Sequence, residues 1–192
     1  MTKGNEIPVS LEFDNSVTNA LKDVATVTAS GERIESKIEG VLVGTPVTHT
    51  DHRGRLFEVW NAADKFWSEP VVYCYMFSIK KNFTKGWGLH LEKTDRYTLI
   101  KGEIATVLYD PRKSSSTFGK IQKVFLSEQG SRQLVIPAGV WHMNVNIAES
   151  ESFLINHPTQ IYHHESPDRY LSPLESRDIP FDVRELFPTQ LG

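Results

Sequence analysis

The feature that most constrains the fold is a series of short β-rich runs that begins near Ile38 and continues through most of the chain. The runs are rich in β-branched and aromatic residues and are separated by turn residues. Many short strands at close spacing predict an antiparallel β-sandwich or a small β-barrel. The runs read GVLVGT, RLFEVW, VVYCYMFSI, RYTLI, EIATVLY, KIQKVFL, RQLVI, NVNI and SFLIN.

The region before these runs has a different pattern. Val17, Ala20, Leu21 and Val24 recur at helical spacing, and a polar connector follows. We therefore expect an N-terminal extension over residues 1–37, with one short helix, followed by a β domain over residues 38–192. A chain of 192 residues with 39% hydrophobic content is long enough for one such well-buried domain.

Two local features refine this expectation. The Lys101–Gly102 step between two β-rich runs predicts a hairpin. Cys74, the single cysteine, lies in the apolar run VVYCYMF and is predicted to be a small buried residue. Since one cysteine cannot form an internal disulfide, the sequence favours a reducing compartment, and we expect a cytoplasmic protein.

Composition also excludes some partners. A formal charge of -3 without a cluster of basic residues gives no electrostatic basis for binding nucleic acid. No apolar run approaches the length of a membrane span, so a membrane partner is not expected.

Two stretches carry the chemistry. IPAGVWHMNVN places Pro137, Gly139, His142 and Asn146 around a sharp turn that ends one strand and begins the next. GWGLHLEKTDRYTLIKGE supplies one more histidine and two nearby carboxylates. A small β-barrel would present such residues to its interior. These are His90, Glu92 and Asp95.

Together the two stretches resemble the paired motifs of the cupin superfamily, which implies a jelly roll. D-x-R-G, G-L-H, D-x-R-x-S-S-x-T-F-G and I-P-x-G-x-x-H then follow in the order found in the dTDP-4-dehydrorhamnose 3,5-epimerase family, across about residues 38–183. That resemblance implies a homodimer without metal or other cofactor. It also implies a nucleotide-diphosphate sugar as the partner, whose proton beside a 4-keto group is removed and replaced.

The resemblance also assigns residues. His90 is the implied base, because an imidazole that a carboxylate orients can take a proton near neutral pH. Asp182 stands near the position of the supporting aspartate. Arg53 matches the arginine that holds the diphosphate, and Glu58 matches a glutamate of the nucleotide region.

Further candidates for substrate binding are His142, Asn156, Arg112 and Trp87. Arg112 could instead be the ion-pair partner of Asp110. Trp87 could stack on the base or the sugar, or belong to the core.

The chain departs from the family at three positions. Trp87 replaces an arginine beside the base, Asp95 replaces a lysine, and Ile155 or Asn156 stands where the family has its general-acid tyrosine. Each lost donor to an enolate is worth about 2.7–4 kcal/mol. The departures therefore favour epimerisation at one centre, a keto-isomerisation, or no catalysis.

Two alternatives follow. In a metal-dependent cupin, His90 and His142 would converge on a divalent ion together with Glu92 or Asp95. In a catalytically silent cupin, the same pocket would bind a nucleotide sugar without proton exchange.

Overall fold

The computed structural model describes residues 25–31, 34 and 37–186. The chain divides into two compact units, Met1–Ser36 and Lys37–Gly192. In the first unit a turn is closed by the Ile34 N–H, which donates to the carbonyl of Thr26 at 2.8 Å. The helix expected around Val17–Val24 lies outside the described residues. Among the residues that are described, no helix is long and apolar enough to cross a membrane.

Among its described residues, the regular elements of the second unit are one short helix and twelve strands. One short 3-10 helix, Val183–Leu186, follows the last of them. The strands are β1 (Leu42–Gly44), β2 (Thr48–Asp51), β3 (Gly54–Phe57), β4 (Tyr75–Ile79), β5 (Thr84–Leu89), β6 (Asp95–Lys101), β7 (Glu103–Tyr109), β8 (Ile121–Ser127), β9 (Gln133–Ile136), β10 (Trp141–Asn146), β11 (Ser152–Asn156) and β12 (Tyr170–Leu171).

These strands form a jelly roll. One five-stranded sheet has the order β1-β9-β6-β11-β4 and the other has the order β12-β5-β10-β7-β8, while β2 and β3 form a separate two-stranded sheet. The antiparallel pairs β4–β11, β5–β10, β6–β9 and β7–β8 are nested one inside the next. This nesting is the mark of a jelly roll, and the predicted all-β cupin-type fold is confirmed.

The connection at Gly102 differs from the expected hairpin. β6 and β7 belong to different sheets, so Gly102 carries the chain from one sheet to the other. Gly102 has a φ of +92°, and a Cβ at this position would lie 2.1 Å from Oγ of Ser152. The hairpin prediction was wrong because a glycine turn also permits a corner between two sheets.

The main core lies between the two five-stranded sheets. Alternating side chains of β6 and β7, among them Leu99, Ile104 and Leu108, are fully buried there. Since alternate residues of a strand point to opposite faces, the remaining residues of β7 face outward. Ala105 and Val107 lie in a second cluster, which the C-terminal segment covers with Ile179 and Phe181.

Candidate active site

A pocket of about 420 Å³ opens between the two five-stranded sheets. Strands β4 and β6 line it from one sheet, and β5 and β10 line it from the other. The lining residues are Tyr73, Tyr75, Phe77, Lys85, Gly86, Gly88, His90, Lys93, Asp95, Tyr97, His142, Asn144, Tyr162, His164 and Arg169.

The turn between β9 and β10 brings the two histidines of this pocket together. Gly139 has a φ of +82°, a conformation that favours glycine. Its N–H donates to the carbonyl of His90 at 2.7 Å, which ties the turn to the end of β5. The turn ends just before β10, on which His142 points into the pocket, and the rings of His90 and His142 are 5.4 Å apart.

Asp95 joins the two histidines. Its Oδ2 lies 3.3 Å from Nε2 of His90 and 3.5 Å from Nε2 of His142. The carboxylate also accepts hydrogen bonds from the Tyr97 hydroxyl at 3.2 Å and from the Asn156 amide at 2.9 Å. Burial acts to raise the pKa of Asp95, but the hydrogen bond from His90 and the charges of both histidines, which act when those rings are protonated, outweigh it and hold the pKa well below its usual range. Asp95 is therefore ionised at neutral pH.

His90 has a second partner in the C-terminal segment. Its Nδ1 contacts the backbone carbonyl of Asp168. A carbonyl only accepts hydrogen bonds, so Nδ1 carries the hydrogen, and Nε2 keeps a lone pair in the neutral ring. When Nε2 takes up a proton, both ring nitrogens face acceptors, so the surroundings stabilise the imidazolium.

The side chain of Asp168 holds this arrangement in place. Its carboxylate accepts the backbone N–H groups of Leu91, Glu92 and Lys93 at 2.8, 3.0 and 3.1 Å. These hydrogen bonds act to lower the pKa of Asp168 and outweigh the opposite effect of burial. One residue therefore fixes both the turn after β5 and the tautomer of His90.

His142 differs from His90 in its protonation. Its Nδ1 lies 3.3 Å from the Val140 carbonyl. Burial lowers the pKa of His142 below its ordinary value, although the charge of Asp95 opposes that change. The ring is therefore neutral at neutral pH and acts as a hydrogen-bonding group rather than as a cation.

Lys93 adds a cationic side chain to the pocket. Its side chain lines the pocket, yet the residue is only 6% exposed. Within the described part of the chain its ammonium has neither a hydrogen-bond nor an ion-pair partner, and it lies 5.8 Å from the ring centre of Tyr162. An ammonium that lines a pocket without a partner is free to pair with an anion, so this side of the pocket suits an anionic ligand.

The structure corrects the expectation for Asp182. Its carboxylate bonds the backbone N–H and the guanidinium of Arg184, each at 2.9 Å. It is also absent from the lining of the pocket. The carboxylate that contacts His90 is Asp95, and the second acceptor is Asp168. The sequence prediction missed the role of Asp95 because it treated the charge reversal there as a loss, and it missed Asp168 because that residue is distant from His90 in the chain.

Trp87 is a core residue. It is only 1% exposed and packs against Phe181, with ring centres 6.3 Å apart at an angle of 88°. Its neighbours Gly86 and Gly88 line the pocket, so the alternation of β5 turns Trp87 to the opposite face. The prediction that Trp87 stacks on a ligand was wrong.

Three other predicted contacts lie outside this pocket in a single chain. Arg53 is exposed in the β2–β3 turn and pairs with Asp51 at 2.6 Å. Glu58 accepts a hydrogen bond from Asn61 at 2.8 Å. Arg112 pairs with the buried Asp110 at 2.8 Å, which is the structural alternative that the sequence left open.

Asn156 lies behind the pocket and positions its neighbours. Its Oδ1 accepts the Arg96 backbone N–H at 3.0 Å, and its Nδ2 donates to Asp95 and to the Tyr75 hydroxyl at 2.9 and 2.8 Å. Asn156 is fully buried. Its side chain is thus committed to the protein and is not free to bind a substrate.

The alternative metal set is reduced to three residues. Ligand atoms of His90, Asp95 and His142 all lie within 4.8 Å of one another, and all three residues are buried. Glu92 is exposed and does not join this group. Two imidazoles and one carboxylate are a suitable ligand set for a divalent transition metal.

A period-two signal in VVYCYMF could have revealed the wall formed by β4. Tyr73, Tyr75 and Phe77 alternate along the chain, and all three line the pocket. Cys74 and Met76 face the other way and are exposed, so the expected burial of Cys74 was wrong. The alternation shows which side chains share a face, but an apolar run does not show which face is inside.

Comparison with known proteins agrees with the fold. Residues 35–182 match the model of the family described as dTDP-4-dehydrorhamnose 3,5-epimerase. The probable low-salt glycan biosynthesis epimerase Agl13 of Haloferax volcanii is 32% identical over 136 residues, which cover 70% of this chain and 86% of that protein. The dTDP-4-dehydrorhamnose 3,5-epimerase of Methanothermobacter thermautotrophicus is 30% identical over 156 residues, which cover 78% and 82%.

A solved structure supports the same fold. The crystal structure of a dTDP sugar isomerase from Desulfovibrio desulfuricans superposes with a TM-score of 0.70 at 22% identity, over 76% of this chain and 91% of that one. The chain described here therefore belongs to the dTDP-4-dehydrorhamnose 3,5-epimerase family, a family of sugar-nucleotide epimerases.

Proposed function

We propose that this protein is an epimerase or isomerase of a nucleotide-linked 4-keto-6-deoxy sugar, in the synthesis of surface polysaccharides or deoxysugars. The observation that carries the proposal is His90, a pocket histidine with a carbonyl on one ring nitrogen and an ionised carboxylate beside the other. Membership of a sugar-nucleotide epimerase family supports it.

The first step is proton removal at a carbon beside the ketone. Nε2 of His90 takes the proton, the C–H bond breaks, and its electron pair moves to the ketone oxygen to give an enolate. The imidazolium is stabilised by the Asp95 carboxylate 3.3 Å away and by the Asp168 carbonyl. Asp95 itself is a poor base, because its hydrogen bonds hold its pKa well below its usual range despite burial.

Lys93 suits the enolate that this step creates. Its side chain lines the same pocket and has no anionic partner among the described residues, although the residue as a whole is largely buried. A preorganised cation near a developing oxyanion costs no reorganisation during the reaction. In this proposal Lys93 replaces the positive charge of the family's lysine, whose position is occupied by Asp95 in this chain.

Two further cationic side chains are candidates to bind the diphosphate of the substrate. Lys85 and Arg169 line the same pocket, and both are exposed at the rim. Neither forms an ion pair with any described residue, so both are available to phosphate oxygens. Arg53 and Glu58 remain predicted nucleotide contacts. Because both lie outside this pocket in a single chain, they would have to come from a second copy of the chain.

The assembly and location are part of the proposal. We expect the homodimer that the family resemblance implies, and the free thiol of Cys74 suits a reducing, cytoplasmic location. Size-exclusion chromatography with light scattering tests the dimer directly.

One observation favours a second candidate function. The ligand atoms of His90, Asp95 and His142 lie within 4.8 Å of one another, and two imidazoles with one carboxylate are a suitable ligand set for a divalent metal. A metal-dependent cupin would lose its activity on chelation and regain it with one metal. Metal analysis of the purified protein, with His142→Gln as the comparison, separates this function from the metal-free epimerase.

The test of the main proposal is deuterium uptake from D2O. The probes are dTDP-, UDP-, CDP- and GDP-linked 4-keto-6-deoxy sugars, followed by NMR with wild type and His90→Asn in parallel. We expect uptake at a carbon beside the ketone that disappears in His90→Asn. Asp182→Asn is the matched control and should exchange at the wild-type rate.

Two outcomes contradict the proposal. Binding of a nucleotide sugar without any exchange would identify a silent binding protein. Exchange that His90→Asn retains would assign the base elsewhere in the pocket.

A further inference from the structure

We infer that His90, Asp95 and His142 form a binding site for one divalent transition-metal ion, and that the bound ion inhibits the proposed reaction. The inhibitory part rests on the proposed function, because the ion occupies the same atom of His90 that removes the proton. The effect is opposite in sign to that in a metal-dependent cupin, where the ion supports catalysis.

The two histidine rings present the same nitrogen to the centre of the site. Nδ1 of His90 contacts the Asp168 carbonyl. Nδ1 of His142 lies 3.3 Å from the Val140 carbonyl. Because a carbonyl only accepts hydrogen bonds, Nδ1 carries the hydrogen in each neutral ring, and Nε2 keeps a lone pair. Both Nε2 atoms lie beside Oδ2 of Asp95, so three acceptor atoms converge, and a cation between them satisfies all three.

The spacing of these atoms matches that of ligands around one ion. Zinc binds imidazole nitrogen at about 2.0–2.1 Å and carboxylate oxygen at about 2.0–2.2 Å. Two ligands of a tetrahedral ion at these distances are ~3.4 Å apart. Oδ2 of Asp95 lies 3.3 Å from Nε2 of His90 and 3.5 Å from Nε2 of His142. The cluster can therefore close on an ion with small movements of its side chains.

The hydrogen bonds around the three ligands are those that support a metal site. Metal-binding histidines usually donate their other ring N–H to a carbonyl or a carboxylate, and metal-binding carboxylates accept hydrogen bonds of their own. Both histidines meet the first condition through Nδ1. Asp95 meets the second, because it accepts the Tyr97 hydroxyl at 3.2 Å and the Asn156 amide at 2.9 Å. The ligands are therefore oriented before an ion binds.

The ligand types select the ion. Two imidazoles and one carboxylate suit transition metals such as Zn²⁺ and Co²⁺, whereas Mg²⁺ and Ca²⁺ prefer oxygen ligands. Lys93 lines the same pocket, and its positive charge opposes the binding of any cation. Removal of that charge in Lys93→Met should therefore tighten metal binding.

A bound ion blocks the base. In the proposed reaction, the lone pair on Nε2 of His90 takes the proton from the carbon beside the ketone. Once that lone pair coordinates an ion, it can no longer accept a proton. The ion also engages the Asp95 carboxylate, which otherwise stabilises the imidazolium from 3.3 Å away. Exchange should therefore fall with the fraction of sites occupied, by ~10-fold at a metal concentration of ten times Kd.

The experiment measures metal binding and deuterium exchange on the same preparations. Protein stripped with a chelator is titrated with Zn²⁺ by calorimetry and with Co²⁺ by visible absorption, and Mg²⁺ is the control ion. His142→Gln removes one ligand. His163→Gln is the matched control, because His163 is exposed and lies outside the pocket lining. NMR then follows deuterium uptake by the nucleotide-linked 4-keto-6-deoxy sugars, and each variant is compared with its own metal-free rate.

We expect wild type to bind one ion per chain and to lose exchange as Zn²⁺ is added, with recovery on chelation. Loss of an outer-shell partner costs ~10–100-fold in metal affinity, so loss of a ligand in His142→Gln should weaken binding by at least ~10²-fold. The residual exchange of that variant should resist Zn²⁺ concentrations that stop wild type. His163→Gln should behave as wild type, and Mg²⁺ should neither bind nor inhibit.

A second ligand variant guards against misfolding of His142→Gln. His90→Asn removes a different ligand, so its Zn²⁺ affinity should fall in the same way, whatever its activity. Equal Zn²⁺ affinity in wild type and both ligand variants would place the ion elsewhere and overturn the site.

The remaining results separate the inference from the proposed function. Zn²⁺ binding without inhibition would overturn the inhibitory role. Faster exchange with Zn²⁺ would also overturn it, in favour of a metal-dependent cupin. No exchange by stripped wild type with any probe would overturn the proposed function and the inhibition with it, whereas the titrations still decide the metal site.

Discussion

The substitution Asp95→Asn tests the centre of the site most directly. It keeps the shape of the side chain but removes the negative charge 3.3 Å from Nε2 of His90. At an effective dielectric constant near 20, a unit charge at that distance stabilises the imidazolium by ~5 kcal/mol. The asparagine oxygen can still accept one hydrogen bond, which recovers about 1–2 kcal/mol. The net loss of about 3–4 kcal/mol corresponds to a fall of ~10²–10³-fold in the exchange rate.

The assay is deuterium uptake by the keto sugar, with urea denaturation to show that the variant is folded. Asp182→Asn is the matched control, since that carboxylate bonds Arg184 instead of a histidine. We expect a large loss of exchange in Asp95→Asn and none in Asp182→Asn. Exchange by Asp95→Asn at the wild-type rate, or the reverse order of the two variants, would refute the assignment of Asp95.

Three further outcomes are expected. Trp87→Ala should lower the free energy of unfolding by about 3–5 kcal/mol in urea denaturation, whereas Trp87→Phe should retain exchange activity, because Trp87 is buried against Phe181. Lys93→Met should reduce the exchange rate ~10²–10³-fold with little change in dTDP affinity by calorimetry; a loss of dTDP affinity instead would place Lys93 on the diphosphate. Burial and the charge of Arg96 lower the pKa of His157, so His157 is protonated at higher pH in the unfolded chain than in the folded one. The free energy of unfolding should therefore fall as the pH drops below about 6.5. Urea denaturation across this range should show a weaker pH dependence in His157→Asn.

The sequence predicts the fold well because strand patterning is local. Period-two alternation and closely spaced turn residues indicate a sandwich or barrel without knowledge of any contact. Which strands pair is a different question, since it depends on residues far apart in the chain. Gly102 illustrates this, because the same turn chemistry serves a hairpin and a corner between sheets.

The candidate site also combines features that the sequence reveals with features that it does not. The Pro137–Gly139 turn and the two histidines are visible as motifs, and the structure does bring His90 and His142 together. Trp87 and Asp182 were misplaced because a motif gives residue order but not the face of a strand or the partner of a carboxylate.

Other site residues lie outside the motifs. Asp168 reaches His90 from 78 residues away, and nothing in its local sequence reports that contact. Asp95 shows a further limit, since its role follows from the histidines that surround it and not from the residue type expected at that position.

The contacts of Asp168 have a consequence for thermal inactivation. The carboxylate holds three consecutive backbone N–H groups, and the carbonyl of the same residue holds His90. The neighbouring β12 adds only a two-residue edge strand to its sheet, so this segment can detach while the sandwich persists. On heating, exchange activity should therefore disappear before the global melting transition, and hydrogen–deuterium exchange should increase first in the segment around Asp168.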